Sequence, residues 1–255
     1  MKTNEAQTAV THRAKHITDR QELFRSLKKQ ILALEGFKEA PADKNARLGR
    51  MADAFPNGVF PFAALHEFCY YTPEEATVSA AFVSALLSSG VHKAHNIVWI
   101  GPSQKIFPPA LKWFGILPHQ VLFLHVKKEA DVLWAMQEAL KCSSLSGVVG
   151  ELPELHLTTS RRFQLAIEEA GVGCFMLRCR PKNLLTAAVS RWHIQPVHSV
   201  MEDGLPGLGH PRWRVDLLKA RNGKKGSWNI EWSDGGFRYV SGLAVMQHAL
   251  QKQTG

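Results

Sequence analysis

From Phe55 onward, short apolar runs of strand character alternate with helix-like stretches, and this alternation constrains the fold more than any other feature of the chain. The runs are LHEFCYY, NIVWIG, VLFLHV, SGVVGEL and GCFMLRC; between them lie PEEATVSAAFVSALLSS, PPALKWFG, EADVLWAMQEALKC and TSRRFQLAIEEAG. Strands that follow one another through a helix pair in parallel by crossover, so the pattern predicts an α/β fold: a largely parallel sheet with helices on both faces. After Pro181 the character changes. TAAVSRWHIQPVHSV, PRWRVDLLKA, GSWNIEW and FRYV read as strands, and NGKK and SDGG carry the Asn-Gly and Asp-Gly signals of hairpins. An antiparallel hairpin extension therefore follows the parallel core. With 255 residues, 45% of them hydrophobic, the chain has ample material to bury such a sheet.

Upstream of this core, residues 1–17 are polar and expected to be disordered. Thr18 opens an amphipathic helix in which Leu23, Leu27, Ile31 and Leu34 share one face, Lys28 and Lys29 lie opposite, and Gly36 closes the end. Gln21 precedes Leu23 and Phe24 at a spacing one residue short of a clamp-docking peptide, so the apolar face reads as packing surface. The expected organisation is a tail over 1–17, a helix and linker over 18–54, a core over 55–240, and a tail or short helix over 241–255. Leu23, Phe24, Leu27, Ile31 and Leu34 are the candidates for packing in cis or docking on a partner.

Thirty-one Lys and Arg against 22 acidic residues give a net charge of +9, which favours a polyanionic partner or an acidic protein surface. Four cysteines show no metal or redox spacing; three sit in apolar runs and read as buried, reduced thiols. Twelve histidines form no HExxH or comparable constellation. Neither a signal-peptide pattern nor a bilayer-length apolar run is present, so a cytoplasmic location is expected.

The first strand–helix junction is where an α/β protein of this kind would hold a nucleotide. A phosphate-binding loop reads GxxxxGK[ST], its glycines wrapping phosphates, its lysine neutralising them and its hydroxyl holding magnesium. Residues 70–77 read YYTPEEAT instead. Tyr70 and Glu75 stand in the glycine positions, Ala76 stands for the lysine, and only Thr77 matches. Thr72 is a good N-cap, Pro73 suits the first helical position, and Glu75 completes a capping box. Glu74 and Glu75 place negative charge where phosphate would sit. The junction reads as a degenerate phosphate loop serving as a capped structural helix, with no cofactor and no metal.

Other catalytic parts are missing as well. Gly150 stands where a strand-end magnesium ligand would be expected, with Glu151 next, read as a strand-end residue. Ser103 and Gln104 follow NIVWIG without a carboxylate to activate water. Ser143, Ser144 and Ser146 lack a nucleophile elbow. No enzymatic activity is expected. Lys219, Arg221, Lys224 and Lys225 surround the first hairpin turn, either as DNA phosphate contacts or as a solvated turn. Trp228 and Trp232 alternate along the partner strand, where packing beside Trp213 and Ile230 outweighs base stacking.

The order of these pieces resembles the RecA-like fold. FPNGVFPFAALHEFCYYTPEEATVSAAFVSALL is similar to its entry, with Glu67 as the acidic residue, and VDLLKARNG is similar to a later strand that carries a basic run. With its altered phosphate loop, the chain resembles the ImuA family, on VWIGP, DVLWAMQEALKCSSLSGVVGEL, TTSRRFQLAIEEAG, CFMLRCRP and AAVSRWHI through RWRVDLLKARNG, over roughly residues 20–240. The resemblance implies an accessory role in damage-induced translesion synthesis, with an ImuB-type relative of Y-family polymerases and an error-prone replicative polymerase as partners. RecA or a second copy of the chain, through an N-terminal arm, and single-stranded DNA are further implied partners. It also places DNA-facing loops near 152–159 and 180–186, both short here, making Arg178, Arg180 and Lys182 candidates for DNA contact. SulA-type division inhibitors resemble residues 62–181, and a weak DNA-dependent ATPase is the enzymatic alternative.

Overall fold

The structure, a computed structural model, describes residues 48–90, 96–102, 106–199 and 209–240, together with Leu23, Ser26, Leu27 and Gln30, which are helical. The expected docking residues Phe24, Ile31 and Leu34, the tail over 241–255, and Ser103 and Gln104 lie outside the described residues. Met1–Glu39 and Ala40–Gly255 are separate compact units, and the sheet belongs to the second.

Among the described residues, nine strands form one sheet in the order β3-β2-β4-β5-β1-β6-β7-β8-β9. They are β1 (Leu65–Tyr70), β2 (Asn96–Gly101), β3 (Val121–His125), β4 (Leu145–Glu151), β5 (Gly173–Cys179), β6 (Ser190–Val197), β7 (Arg212–Ala220), β8 (Gly226–Ser233) and β9 (Gly236–Tyr239). β1 to β6 run parallel, and β7, β8 and β9 continue the sheet antiparallel from β6. The largely parallel sheet with an antiparallel extension is thus present as expected. β1 and β5 are apolar runs because a central parallel strand is covered on both sides.

Helices cover the two faces unequally. α1 (Pro73–Gly90) lies over one face, its buried Ala76, Ala80, Ala85 and Ser84 allowing close approach while Phe82, Val83, Leu86 and Leu87 fill the space. Trp192 is wholly buried there, stacked on Phe68 at 6.3 Å and flanked by Phe55, Phe60 and Phe82. Trp213 and Trp232 join the same core and Trp228 packs against it, so the side-chain alternation of β8 serves sheet packing. α2 (Glu129–Leu140) and α3 (Leu157–Ala170) cover the other face through Val132, Met136, Leu140, Phe163 and Ile167.

Some local expectations need correction. Among the described residues the core already includes Leu48, Met51 and Ala54, because the segment before Phe55 turns in against the first core and Tyr239 bonds Leu48 and Met51. PPALKWFG forms a 3-10 helix, Pro108–Phe114, ended by Gly115 in the left-handed conformation (φ 78°). The strand expected from TAAVSRWHI starts only at Ser190. Only Cys69 and Cys174 are buried; Cys142 and Cys179 are exposed, because Cys142 follows α2 into a turn and Cys179 ends β5. All four thiols are free. No helix among the described residues is long and apolar enough to cross a membrane.

Candidate functional site

Parallel α/β sheets hold ligands at the carboxyl ends of their strands, so the residues at this edge decide what the protein can hold there. β1 ends at Tyr70 and α1 begins at Pro73, leaving Tyr71 and Thr72 as the whole connection. A phosphate-wrapping loop needs several residues of free backbone, and there are none to spare. Thr72 Oγ1 accepts the amide of Glu75 at 3.2 Å, as an N-cap should. The reciprocal bond differs from a standard capping box: Glu75 Oε2 accepts the amide of Tyr71 at 2.7 Å, one residue before the cap. Thr77, the residue that matches a phosphate loop, donates its hydroxyl to the Pro73 carbonyl of its own helix at 3.1 Å.

Charge at this helix end is negative. Glu74 is held below the usual carboxylate range by its own backbone amide and by the Thr72 hydroxyl. Glu75 is buried and its Oε1 lies 3.1 Å from His193 Nε2, while the Tyr71 ring meets the His193 ring edge-on. The amides that would greet a phosphate are capped from within, and two carboxylates stand beside them.

Glu151, not Gly150, ends β4. Its side chain is buried and Oε1 accepts the indole Nε1–H of Trp99 at 3.0 Å, so it is tied to β2. Gly150 lies close under α2: a Cβ there would fall 2.1 Å from the Met136 sulfur, so that side chain would have to move. Tyr70, next to this pair, has its phenol pKa pushed up by burial first and by Cys179 and Glu151 after it. No group of His, Cys, Asp or Glu among the described residues is arranged to hold a metal.

The main cluster of charge lies between β1, β5 and β6. Glu67 is wholly buried and takes Arg178 Nη1 on Oε1 and Arg191 Nε on Oε2, both at 2.8 Å. Two guanidiniums against one carboxylate would leave a buried positive charge; Glu154, 3.5 Å from Arg178 Nη2, supplies the second carboxylate. Arg178 Nη2 also donates to the carbonyls of Pro153 and Asn183, and Arg191 Nη2 to that of Leu184. Glu154 accepts the amides of Lys182 and Asn183. This network clasps together the loop before α3, 152–156, and the β5–β6 connection, 180–189. Arg178 was expected at a DNA surface, and that expectation is corrected: its side chain is completely buried, its two Nη groups are engaged by Glu67, Glu154 and loop carbonyls, and its Nε is left without a partner among the described residues.

The remaining cationic candidates separate into two places. Arg180 and Lys182 are exposed at the carboxyl edge, where Arg180 adopts φ 46° and bonds the carbonyls of Tyr70 and Tyr71. Lys219, Arg221, Lys224 and Lys225 lie at the amino edge, since Arg221 bonds Val189, which bonds Leu65 at the start of β1. Along β1 the two edges are about 20 Å apart, and Lys219 and Arg221 reach from the amino edge to the end of the connection that carries Arg180 and Lys182. Lys219 and Arg221 are half-buried and donate to the carbonyls of Thr186 and Ala187, whereas Lys224 and Lys225 are exposed. Burial, then the Arg191 charge, lowers the Lys219 pKa. The Glu67 clasp escaped sequence reading, although a signal was present. Glu67, Arg178 and Arg191 each interrupt an apolar strand, and a lone charge in a central strand calls for a buried partner on its neighbour.

No family model matches the chain. Two curated relatives, both named Protein ImuA and from two strains of Caulobacter vibrioides, are each 33% identical over 208 residues, covering 74% of this chain and 85% of their own. Among solved structures, the crystal structure of SulA from Pseudomonas aeruginosa aligns with 21% identity over 47% of this chain and 99% of that one, at a TM-score of 0.40.

Proposed function

The chain belongs to the ImuA family, and from that membership we propose that it acts as a non-catalytic accessory protein in DNA-damage-induced, error-prone DNA synthesis. The observation that carries the non-catalytic part is the β1–α1 junction, where Thr72 caps the Glu75 amide and Glu74 and Glu75 place carboxylates at the helix start. A protein that forgoes nucleotide chemistry at this edge works by binding. Its partners in this reading are an ImuB-type relative of Y-family polymerases and an error-prone replicative polymerase, in the cytoplasm. RecA or a second copy through the N-terminal helix, and single-stranded DNA through exposed cations such as Lys224 and Lys225, are secondary partners.

Two measurements test the reading. Titration with a fluorescent ATP analogue at micromolar concentration should give no saturable signal; a saturable one that is lost in Thr77→Ala overturns the non-nucleotide part. Purified chain immobilised on resin should retain the purified ImuB-type polymerase relative. Retention of the division GTPase with no polymerase would replace this function with division inhibition.

A further inference from the structure

The β5–β6 connection, 180–189, is tied down to an extent unusual for a surface loop. Arg180 is bonded to Tyr70 and Tyr71, the amides of Lys182 and Asn183 to Glu154, and the amide of Leu185 to the Asn183 side chain at 2.8 Å. The carbonyls of Asn183 and Leu184 are held by Arg178 and Arg191, and Thr186 and Ala187 are held by Lys219, Arg221 and the Ser160 hydroxyl. With these backbone groups satisfied from below, Thr186 and Ala187 are buried while the tip turns Leu184 and Leu185 outward. Leu184 is 48% and Leu185 68% exposed, and exposed Arg180 and Lys182 flank them.

Adjacent leucines on a mobile loop would be unremarkable surface residues. On a loop held by the buried Glu67–Arg178–Arg191 cluster and by half-buried Glu154 they form a preorganised apolar projection, so little ordering entropy is lost when they are buried against a partner. We propose that loop 180–186 is a docking knob that inserts Leu184 and Leu185 into an apolar, carboxylate-rimmed pocket of the polymerase partner, with Arg180 and Lys182 paired at the rim. The proposal rests on the adaptor reading and names the surface that would serve it.

The chemistry favours protein over nucleic acid. A single-strand surface needs aromatic platforms and a row of free cations. Here the tip carries leucines, Arg178 is buried, and Lys219 and Arg221 are engaged with carbonyls. Two exposed cations around an apolar tip suit a rim of carboxylates, which steers encounter and fixes orientation while the leucines supply affinity.

The test compares full-length wild type, Leu184→Ser/Leu185→Ser, Arg180→Glu/Lys182→Glu, and Leu165→Ser, an exposed leucine on α3 that serves as the control. Binding of the purified ImuB-type polymerase relative is read by biolayer interferometry, and binding of a 40-nucleotide single strand by anisotropy. The double-leucine variant should lose about 30-fold or more in affinity for the protein. The charge-reversed variant should associate about tenfold more slowly and with weaker salt dependence. Leu165→Ser should stay within about twofold of wild type. The leucines are exposed, so circular dichroism and thermal midpoints should match throughout. Equal binding by wild type and the double-leucine variant overturns the knob while leaving the adaptor reading intact. No binding by wild type overturns both. Loss of single-strand binding with polymerase binding retained makes the loop a nucleic-acid surface and overturns the proposal.

Discussion

His66 shows how much a single residue can set. Its Nε2–H donates to the Pro61 carbonyl at 2.9 Å, so Nδ1, 2.6 Å from Ser190 Oγ, accepts that hydroxyl; Ser190 in turn accepts the Trp192 indole N–H. A serine beside a histidine suggests a nucleophile and its base, yet both are completely buried under the aromatic core, so the pair is structural. Burial lowers the His66 pKa from 6.5 to about 4, against the opposing effect of the Pro61 bond. Between those values the unfolded chain holds a proton that the folded chain excludes. This stabilisation is therefore complete above pH 6.5 and is lost as pH falls towards 4, by about 3 kcal/mol in total. Urea midpoints taken at about pH 7 and about pH 4.5 should fall more in wild type than in His66→Gln, which has no imidazole to protonate. Equal falls would mean that His66 does not stay neutral in the folded protein. Thr72→Ala, which removes the α1 N-cap, should cost about 1 kcal/mol by the same assay.

At the scale of elements, the clasp couples parts distant in sequence. Glu67 on β1 holds Arg178 on β5 and Arg191 on β6, and those arginines hold the loops before α3 and before β6. Such a network adds little net stability over an apolar core, but breaking it is costly because charge is left unpaired. Arg178→Leu should destabilise the protein by about 3–5 kcal/mol, leaving Glu67 to Arg191 alone and Glu154 without its guanidinium. Hydrogen exchange should then rise at Lys182, Asn183 and Leu185 before it rises at strand amides. Loss of protection spread evenly over the sheet would show that Arg178 supports the core as a whole and not the loops.

For the whole molecule, the decisive fact is the distance between the two sets of cations. Among the described candidates for nucleic-acid contact, Arg180 and Lys182 sit at the carboxyl edge and Lys224 and Lys225 at the amino edge. The hairpin and the knob can therefore be tested by separate substitutions. Lys224→Glu/Lys225→Glu should lower the slope of log affinity against log salt for a single strand by about 1.4, while leaving polymerase binding unchanged. An unchanged slope would remove the hairpin as a DNA contact.

What the chain determined by itself was the class of fold and the state of the first junction. Period-two and helical patterns are local, and a cap such as Thr72 is formed by residues within one turn, so both are legible along the sequence. The strand order, the burial of Arg178, and the separation of Lys182 from Lys225 were decided only in the tertiary structure. Each depends on pairing between residues far apart in the chain: Glu67 meets Arg178 and Arg191 only because β1 lies between β5 and β6. A charge in an apolar strand announces that it needs a partner, but only the sheet register says which one.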